Sequence, residues 1–287
     1  MILITGATGL VGGHLIWHLL QENEQVTALK RANSDVESIK MIFQCYGSNP
    51  EEYFQKIIWR EGDVENFSSL LSAMEGVDYV YHCAAIVDLG KSSQRLMNVN
   101  AGGTKNVVQA ALQRKVKKLC FVSSIAALPA GNKLDVIDEL TPFGENETIS
   151  LYGESKQMGE KAVNEGIAQG LDAVIVNPGV IIGYSKNRTG SGELFKRVKS
   201  GMPFYTNGIT GYVNVQDVAE AMILLMKSSV RNDRFILVGE NKCHKDILQK
   251  IAAGYGKFRP FIGMRKSLIY IAWVLEILGK LFLTCPF

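Results

Sequence analysis

Short apolar runs alternate along the chain with longer stretches in which apolar residues return every three to four positions. Runs of the first kind read as strands buried on both faces, and stretches of the second kind as amphipathic helices. The first run, Met1–Ile4, stops at Thr5-Gly6, and behind it Leu10, Val11, His14, Leu15, His18 and Leu19 recur at helical spacing. The same reading gives strands at Gln25–Lys30, Ile57–Arg60, Val77–Cys83, Lys118–Val122 and Ala173–Val176. It gives helices at Ser34–Tyr46, Phe67–Met74, Gln94–Arg114 and Tyr152–Gln169. Ser34 is the expected cap of the Ser34–Tyr46 helix, with Glu37 as its capping-box partner. Gly47–Pro50 reads as a break, and Ala126–Ser150 as a polar, irregular stretch punctuated by Pro129, Gly131, Pro142 and Gly144.

Strands and helices in alternation imply parallel strands joined by right-handed crossovers, hence an α/β fold with a doubly wound open sheet. Ligands of such sheets bind beyond the carboxyl ends of the strands. Gly6, Lys30, Arg31, Asp63, Ala84, Ser124 and Pro178 fall at those ends. After Gly183 the pattern loosens into helices at Gly190–Met202, Val213–Met226 and His244–Ala253 and a strand at Phe235–Val238. The expected division is a large domain over 1–177, to which 211–238 returns, and a smaller, discontinuous lobe built from 178–210 and 239–287. The tail, Ser267–Phe287, is strongly apolar, but Glu276, Gly279 and Lys280 interrupt it. It reads as a packed helix of the smaller lobe, so membrane association is not expected, with a membrane-surface helix as the alternative.

Composition narrows the class. With 287 residues, 47% hydrophobic, and 28 glycines against 7 prolines, the chain suits a large glycine-turned core. Lys+Arg of 31 against Asp+Glu of 28 leaves +3, which gives no nucleic-acid-binding surface. Cys45, Cys83, Cys120, Cys243 and Cys285 are scattered and form no C-x-x-C pair, so a reducing cytoplasm and no metal site are expected. No basic leader precedes the first apolar run, so no secretory signal is expected.

Two stretches carry chemistry. Gly6, Gly9 and Gly12 follow a strand and open a helix. A pyrophosphate there would meet free backbone N–H groups and the positive end of the helix dipole. Gly6 would permit the tight turn, Gly9 the close approach, and Gly12 the packing of helix on strand. The second stretch is Tyr152-Gly-Glu-Ser-Lys156. Tyrosine and lysine four apart share a helix face. An ammonium beside a phenol favours the phenolate and brings the tyrosine closer to useful acid–base range. Ser123-Ser124, at the end of the Lys118–Val122 strand, is placed to hold a carbonyl or alcohol oxygen next to it.

With these residues in order the chain resembles the extended short-chain dehydrogenase/reductases, of the NAD(P)-dependent epimerase/dehydratase kind. The resemblance rests on T-G-A-T-G-L-V-G at Thr5–Gly12, G-D-V at Gly62–Val64, H-C-A-A at His82–Ala85 and N-A-G-G-T at Asn100–Thr104. It continues with V-S-S at Val122–Ser124, Y-G-E-S-K at Tyr152–Lys156 and N-P-G-V-I-I-G at Asn177–Gly183. The resemblance implies a Rossmann-type sheet with a smaller substrate-binding lobe. Tyr152 would be the proton donor, Lys156 would lower its pKa and hold the nicotinamide ribose, and Asn100 would support the site. Ser124 would bind the reacting oxygen; because Ile125 follows instead of Ala or Gly, Ser123 stays open as the alternative. Gly6, Thr8, Gly9, Leu10, Val11 and Gly12 would hold the pyrophosphate, and Asp63 and Val64 would contact adenine. Ala84, Ala85, Ser123 and Pro178, Gly179, Val180 and Ile181 would line the ribose and nicotinamide. Ile125, Ser191 and Tyr205 are candidate substrate contacts.

An acidic residue at the end of the second strand would accept from the 2′-hydroxyl of NAD. Lys30-Arg31 stands there instead, and two cations suit a 2′-phosphate, so NADP(H) is favoured, with NAD(H) the alternative. Three functions remain open. The first is an NADPH-dependent reductase of a ketone or aldehyde, similar to the dihydroflavonol-4-reductase-like branch. The others are a nucleotide-sugar epimerase or dehydratase that uses NAD(P) transiently, and a non-catalytic dinucleotide-binding protein. The resemblance also implies a homodimer through the Gln94–Arg114 and Tyr152–Gln169 helices. Members of the family continue past an apolar stretch of this kind, so the smaller lobe is expected to extend beyond Phe287.

Overall fold

A computed structural model describes residues 1–47, 49–87, 93–129, 136–141, 149–186 and 190–264. Most of the irregular stretch 130–148 and the whole apolar tail from 265 lie outside the described residues. Along the chain come β1 (Ile2–Thr5), α1 (Leu10–Gln21), β2 (Val26–Lys30), α2 (Ser38–Gln44), α3 (Pro50–Phe54) and β3 (Ile58–Glu61). Then follow α4 (Phe67–Ala73), β4 (Tyr79–His82), α5 (Ser93–Leu96), a π-helical turn at Met97–Gly102 and α6 (Gly103–Gln113). Next are β5 (Lys118–Val122), a 3₁₀ turn at Ile125–Ala127, α7 (Leu151–Ala168), β6 (Ala173–Pro178) and β7 (Val180–Ile182). The remainder is α8 (Gly192–Lys199), β8 (Phe204–Tyr205), β9 (Ile209–Asn214), α9 (Val215–Lys227), β10 (Asp233–Leu237), β11 (Glu240–Cys243), α10 (His244–Gly254) and β12 (Ile262–Gly263).

Among the described residues the main sheet has seven strands in the order β10-β6-β5-β4-β1-β2-β3, and every neighbouring pair is parallel. This is the doubly wound arrangement that the alternation predicted. The strand order reverses between β1 and β4, which opens a crevice at their carboxyl ends. Side-chain alternation along the strands builds two cores. Ile2, Ile4, Val26, Ala28, Tyr81, Cys120 and Val174 face α1, α2 and α9. Leu3, Leu29, Val80, Phe121, Ala173 and Ile175 face α4, α6 and α7. Burial on both faces is why these strands read as unbroken apolar runs.

The chain divides into two compact units, Met1–Gly192 with Tyr212–Glu240, and Glu193–Gly211 with Asn241–Phe287. Residues 178–192, expected in the smaller lobe, cluster with the larger unit. There β6 runs on to Pro178, and β7 pairs in parallel with Tyr212–Asn214 of β9. In the smaller unit β8 pairs with β12, and Val198, Leu248 and Ala252 form a separate small core.

Several local expectations need correction. The helix expected from Ser34 starts at Ser38, and Ser34 accepts a hydrogen bond from Arg31 N at 2.9 Å instead of capping it. The Gly47–Pro50 break is in part the start of a helix: Asn49 caps α3 by accepting from Glu51 N, with Pro50 at the first helical position. The long helix Gln94–Arg114 is three pieces, because the π-helical turn interrupts it.

Candidate active site

Strand β1 ends where the chain turns at Gly6, whose φ of +66° lies in the left-handed region that a side chain disfavours. A Cβ on Gly6 would stand 2.6 Å from Ala84 N, so the turn packs directly on the end of β4. A Cβ on Gly12 would overlap the Gly6 carbonyl oxygen. Helix α1 starts after Gly9 with no side-chain cap and no acidic residue in its first turn. Its first N–H groups and the positive end of its dipole therefore face the crevice without competition from a side chain. This cradle, which side chains would fill, fits the pyrophosphate of a dinucleotide, with Gly6, Thr8, Gly9, Leu10, Val11 and Gly12 around it.

The far wall is tied to the same helix. Gly179 N donates to Leu237 O at 3.0 Å at the end of β6. A Cβ on Gly183 would overlap Val215 and stand 3.1 Å from Leu10 Cδ1. His14, buried in α1, lies 3.0 Å through Nε2 from the Tyr184 carbonyl, which only a protonated ring nitrogen can satisfy. Its Nδ1 therefore accepts from the Tyr46 hydroxyl at 2.5 Å. The segment Pro178–Ile181 is thus braced between β10, β9 and the glycine helix.

At the other side of the glycine turn, His82 anchors the crevice. Thr104 Oγ1 donates to the Asn100 carbonyl at 2.5 Å, so it accepts from His82 Nε2–H at 2.9 Å. His82 Nδ1 must then accept from the Thr5 hydroxyl at 2.7 Å, and Thr5 Oγ1 in turn accepts from Ala84 N at 3.2 Å. Burial pushes the imidazole down to about 3, with the Lys156 charge acting the same way, so this tautomer is neutral. The run fixes the backbone at Ala84 beside Gly6.

Asn100 sits in the π-helical turn and is 1% exposed. Its Oδ1 accepts from Ile86 N at 2.8 Å, and its Nδ2 donates to Ile86 O at 3.0 Å and to Ser155 Oγ at 2.9 Å. Ser155 Oγ donates to the Tyr152 carbonyl at 2.7 Å. Asn100 thereby joins the segment after β4 to the first turn of α7. Such wide turns recur at functional sites because the extra residue re-aims a side chain.

Helix α7 is capped by Ser150, which accepts from Gly153 N at 3.1 Å. A Cβ on Gly153 would overlap the Ala126 carbonyl, so only glycine lets the helix start approach the turn after Ser124. Burial pushes the Tyr152 phenol up to about 12, and its side-chain interaction with Ser124 works against the rise. Lys156, 3% exposed, donates to Val122 O at 2.8 Å and lies over the Phe121 ring. Burial pulls its ammonium down to about 8, with Cys83 and Glu160 acting against the fall. The expected lowering of the Tyr152 pKa by Lys156 is therefore not what governs here: burial raises it, and the opposing group is Ser124.

The two serines part company. Ser124 is half-buried, and its Oγ also accepts from Ala126 N at 3.1 Å. Ser123 is 2% exposed, and its hydroxyl donates to Glu160 in the interior, not towards the crevice. Asp63 Oδ1 accepts from Glu65 N at 3.0 Å, and Val64 is buried with its carbonyl held by Asn106 at 2.9 Å. Lys30 closes β2 and Arg31 is exposed just beyond it. Ala85 and Ile125 are half-buried at the ends of β4 and β5. Ser191 belongs to the larger unit. Tyr205 belongs to the smaller one, packed on the Val198–Leu248–Ala252 core under Lys245. Sequence reasoning missed Thr5, Ser155 and Glu160. The last two had a signal, lying on the helix face of Tyr152 and Lys156.

Among known proteins, the model of the NAD dependent epimerase/dehydratase family matches residues 2–239. A Synechocystis protein named as a dihydroflavonol 4-reductase is 31% identical over 264 residues, covering 90% of this chain and 73% of that protein. Cinnamoyl-CoA reductase 1 of Petunia hybrida is 28% identical over 270 residues, covering 91% and 78%. The crystal structure of gox2253 superposes with a TM-score of 0.81 at 30% identity, covering 100% of this chain and 84% of that one. The nucleotide cradle, the sheet order and these matches agree, and the chain belongs to the NAD-dependent epimerase/dehydratase family of NAD(P)-binding enzymes.

Proposed function

We propose that the chain is an NADP(H)-dependent oxidoreductase that reduces the ketone or aldehyde of a small organic substrate. The observation that carries this reading is the seating of Tyr152 and the buried Lys156, one turn apart on α7, against the end of β5, where Lys156 donates to Val122 O and Gly153 packs on the turn after Ser124. The dinucleotide, held at the glycine turn and along Pro178–Ile181, supplies the hydride when bound. Ser124 orients the carbonyl oxygen of the substrate. Tyr152, kept protonated by its burial, donates its phenolic proton to that oxygen. The Lys156 ammonium stabilises the phenolate left behind.

Cofactor choice rests on the end of β2. Arg31 is exposed there, and the first acidic residue after it, Asp35, is held by Lys186 at 2.7 Å. A 2′-phosphate would meet Lys30 and Arg31, with Glu61, the register partner of Lys30 on β3, as the neighbouring carboxylate. The two sequence relatives are named as reductases, which supports the reductase reading and is silent on the cofactor.

The test is a side-by-side titration with NADPH and NADH, repeated on a Lys30→Ala/Arg31→Ala variant, followed by NADPH consumption with a panel of aldehydes and ketones. We expect NADPH to bind at least about tenfold tighter, a gap worth about 1.4 kcal/mol, and the variant to close it. Equal affinities in the wild type refute the cofactor assignment. Firmly retained NAD with no net consumption of reductant replaces the reductase by an epimerase or dehydratase.

A further inference from the structure

The second half of helix α7 carries a carboxylate that the chemistry above leaves unused. Glu160 lies one turn beyond Lys156 and two beyond Tyr152, on the same face, and is 0% exposed. Its Oε1 accepts from the Ser123 hydroxyl and, at 2.6 Å, from Asn177 Nδ2. The same Asn177 nitrogen donates to the Ser124 carbonyl at 3.0 Å. Glu160 Oε2 accepts no hydrogen bond among the described residues and stands 3.8 Å from Arg234 Nη1 on β10. A carboxylate this deep is tolerated only against positive charge.

The hydrogen-bond partners of this one side chain are Ser123, just past the end of β5, and Asn177, next to last in β6. Ser124 follows Ser123 directly, and Pro178 follows Asn177, so both reach the crevice from positions that Glu160 holds. It also lies within electrostatic reach of Lys156. The groups that face Lys156 come from three elements: His82 and Cys83 at the end of β4, Phe121 and Val122 on β5, and Glu160 on α7, the helix that also carries Tyr152 one turn before it. His82 is neutral, and burial pushes the Cys83 thiol up to about 12, so neither carries charge at neutral pH. That leaves Glu160 as the negative group of the set, with Arg234 on its far side.

We propose that Glu160 is a positioning residue for the reaction at Tyr152: it fixes the ends of β5 and β6 that carry Ser124 and Pro178, and it supplies the buried negative charge that balances the Lys156 ammonium. This rests on the reading of Tyr152 and Lys156 as the proton-handling pair, so the test needs a readout that requires neither cofactor nor turnover. Lysine labelled with carbon-13 at Cε reports the protonation of each ammonium, and a Lys156→Met spectrum identifies the Lys156 signal. Glu160→Gln keeps an acceptor for Ser123 and Asn177 but removes the charge. Arg234→Gln removes the opposing cation and leaves the carboxylate.

In Glu160→Gln the Lys156 midpoint should fall by about half a pH unit or more, and in Arg234→Gln it should rise. With activity in hand, Glu160→Gln should lower kcat about tenfold or more while KM for the dinucleotide changes less than about threefold, as expected for a loss felt in the transition state. A Lys156 midpoint that is the same in all three proteins overturns the proposal. A shifted midpoint in a protein that binds dinucleotide but reduces no carbonyl leaves Glu160 in place and refutes the reductase.

Discussion

Lowering the pH should destabilise this protein, and chiefly through one neutral imidazole. His82 is fully buried, and both its nitrogens are committed, Nε2 as donor to Thr104 and Nδ1 as acceptor from Thr5. A proton on Nδ1 would break the Thr5 bond and set a second charge near Lys156. The ring therefore titrates at about 3 in the folded chain, against 6.5 for a free histidine. A folded-state pKa below the unfolded one means that its stability is complete above about pH 6.5 and is lost as pH falls from there towards about 3. Between about pH 7 and pH 5 the unfolded chain takes up most of a proton that the folded chain refuses, which costs about 2 kcal/mol of stability. His14 and His18 are also pulled down by burial and add to the slope. The informative quantity is thus the difference between the wild type and His82→Gln, measured by urea unfolding at several pH values. The variant starts less stable, because the Thr5 bond is lost, but its curve should fall less steeply by about 2 kcal/mol over that range. Parallel curves refute the assignment of the neutral, doubly bonded tautomer.

Other outcomes can be stated more briefly. Gly12→Ala should fold with altered packing of α1 and lose most dinucleotide affinity, because the new methyl overlaps the Gly6 carbonyl; calorimetric affinity within about threefold of wild type, under 1 kcal/mol, contradicts it. Tyr152→Phe should keep dinucleotide binding and lose about a hundredfold or more in kcat, as expected for a missing general acid; turnover near the wild-type rate removes Tyr152 from the chemistry. Asn100→Ala leaves Ile86 N and O and Ser155 without their buried partner, and should cost about 2–4 kcal/mol in chemical denaturation. A loss below about 1 kcal/mol shows that water or rearrangement replaces it. We expect a homodimer through the Gln94–Arg114 stretch and α7, whose Leu151 and Met158 are 53% and 49% exposed, and a light-scattering mass of one chain ends that expectation.

The sheet was legible because its strands are buried on both faces, so Ile2–Thr5, Val26–Lys30 and Lys118–Val122 are apolar runs wherever they occur. The glycine turn was legible because close backbone approach leaves only one residue type. What escaped reading depends on contacts distant in sequence. Nothing local to Thr5 says that it meets His82, since 77 positions separate them. The choice between Ser123 and Ser124 turned on strand alternation, which sends Ser123 to the α7 side with Phe121. Ser34 looked like a cap, but the chain stays in tight turns until Ser38 and the hydroxyl is taken by Arg31 N. Asn49-Pro50 could have been read correctly, because Asn followed by Pro is also a helix start.

The π-helical turn at Met97–Gly102 makes this part of the chain intolerant of a change in length. Each residue added to or removed from a helix rotates everything beyond it by about 100°. Asn100 and Thr104 serve different neighbours, Ile86 with Ser155 on one side and His82 on the other, and are joined by the Thr104–Asn100 hydrogen bond. The extra residue of the wide turn sets the angle between them. Natural variation along 97–104 should therefore appear as exchanges of one side chain for another, such as at exposed Asn98, while insertions and deletions collect in the loops on either side.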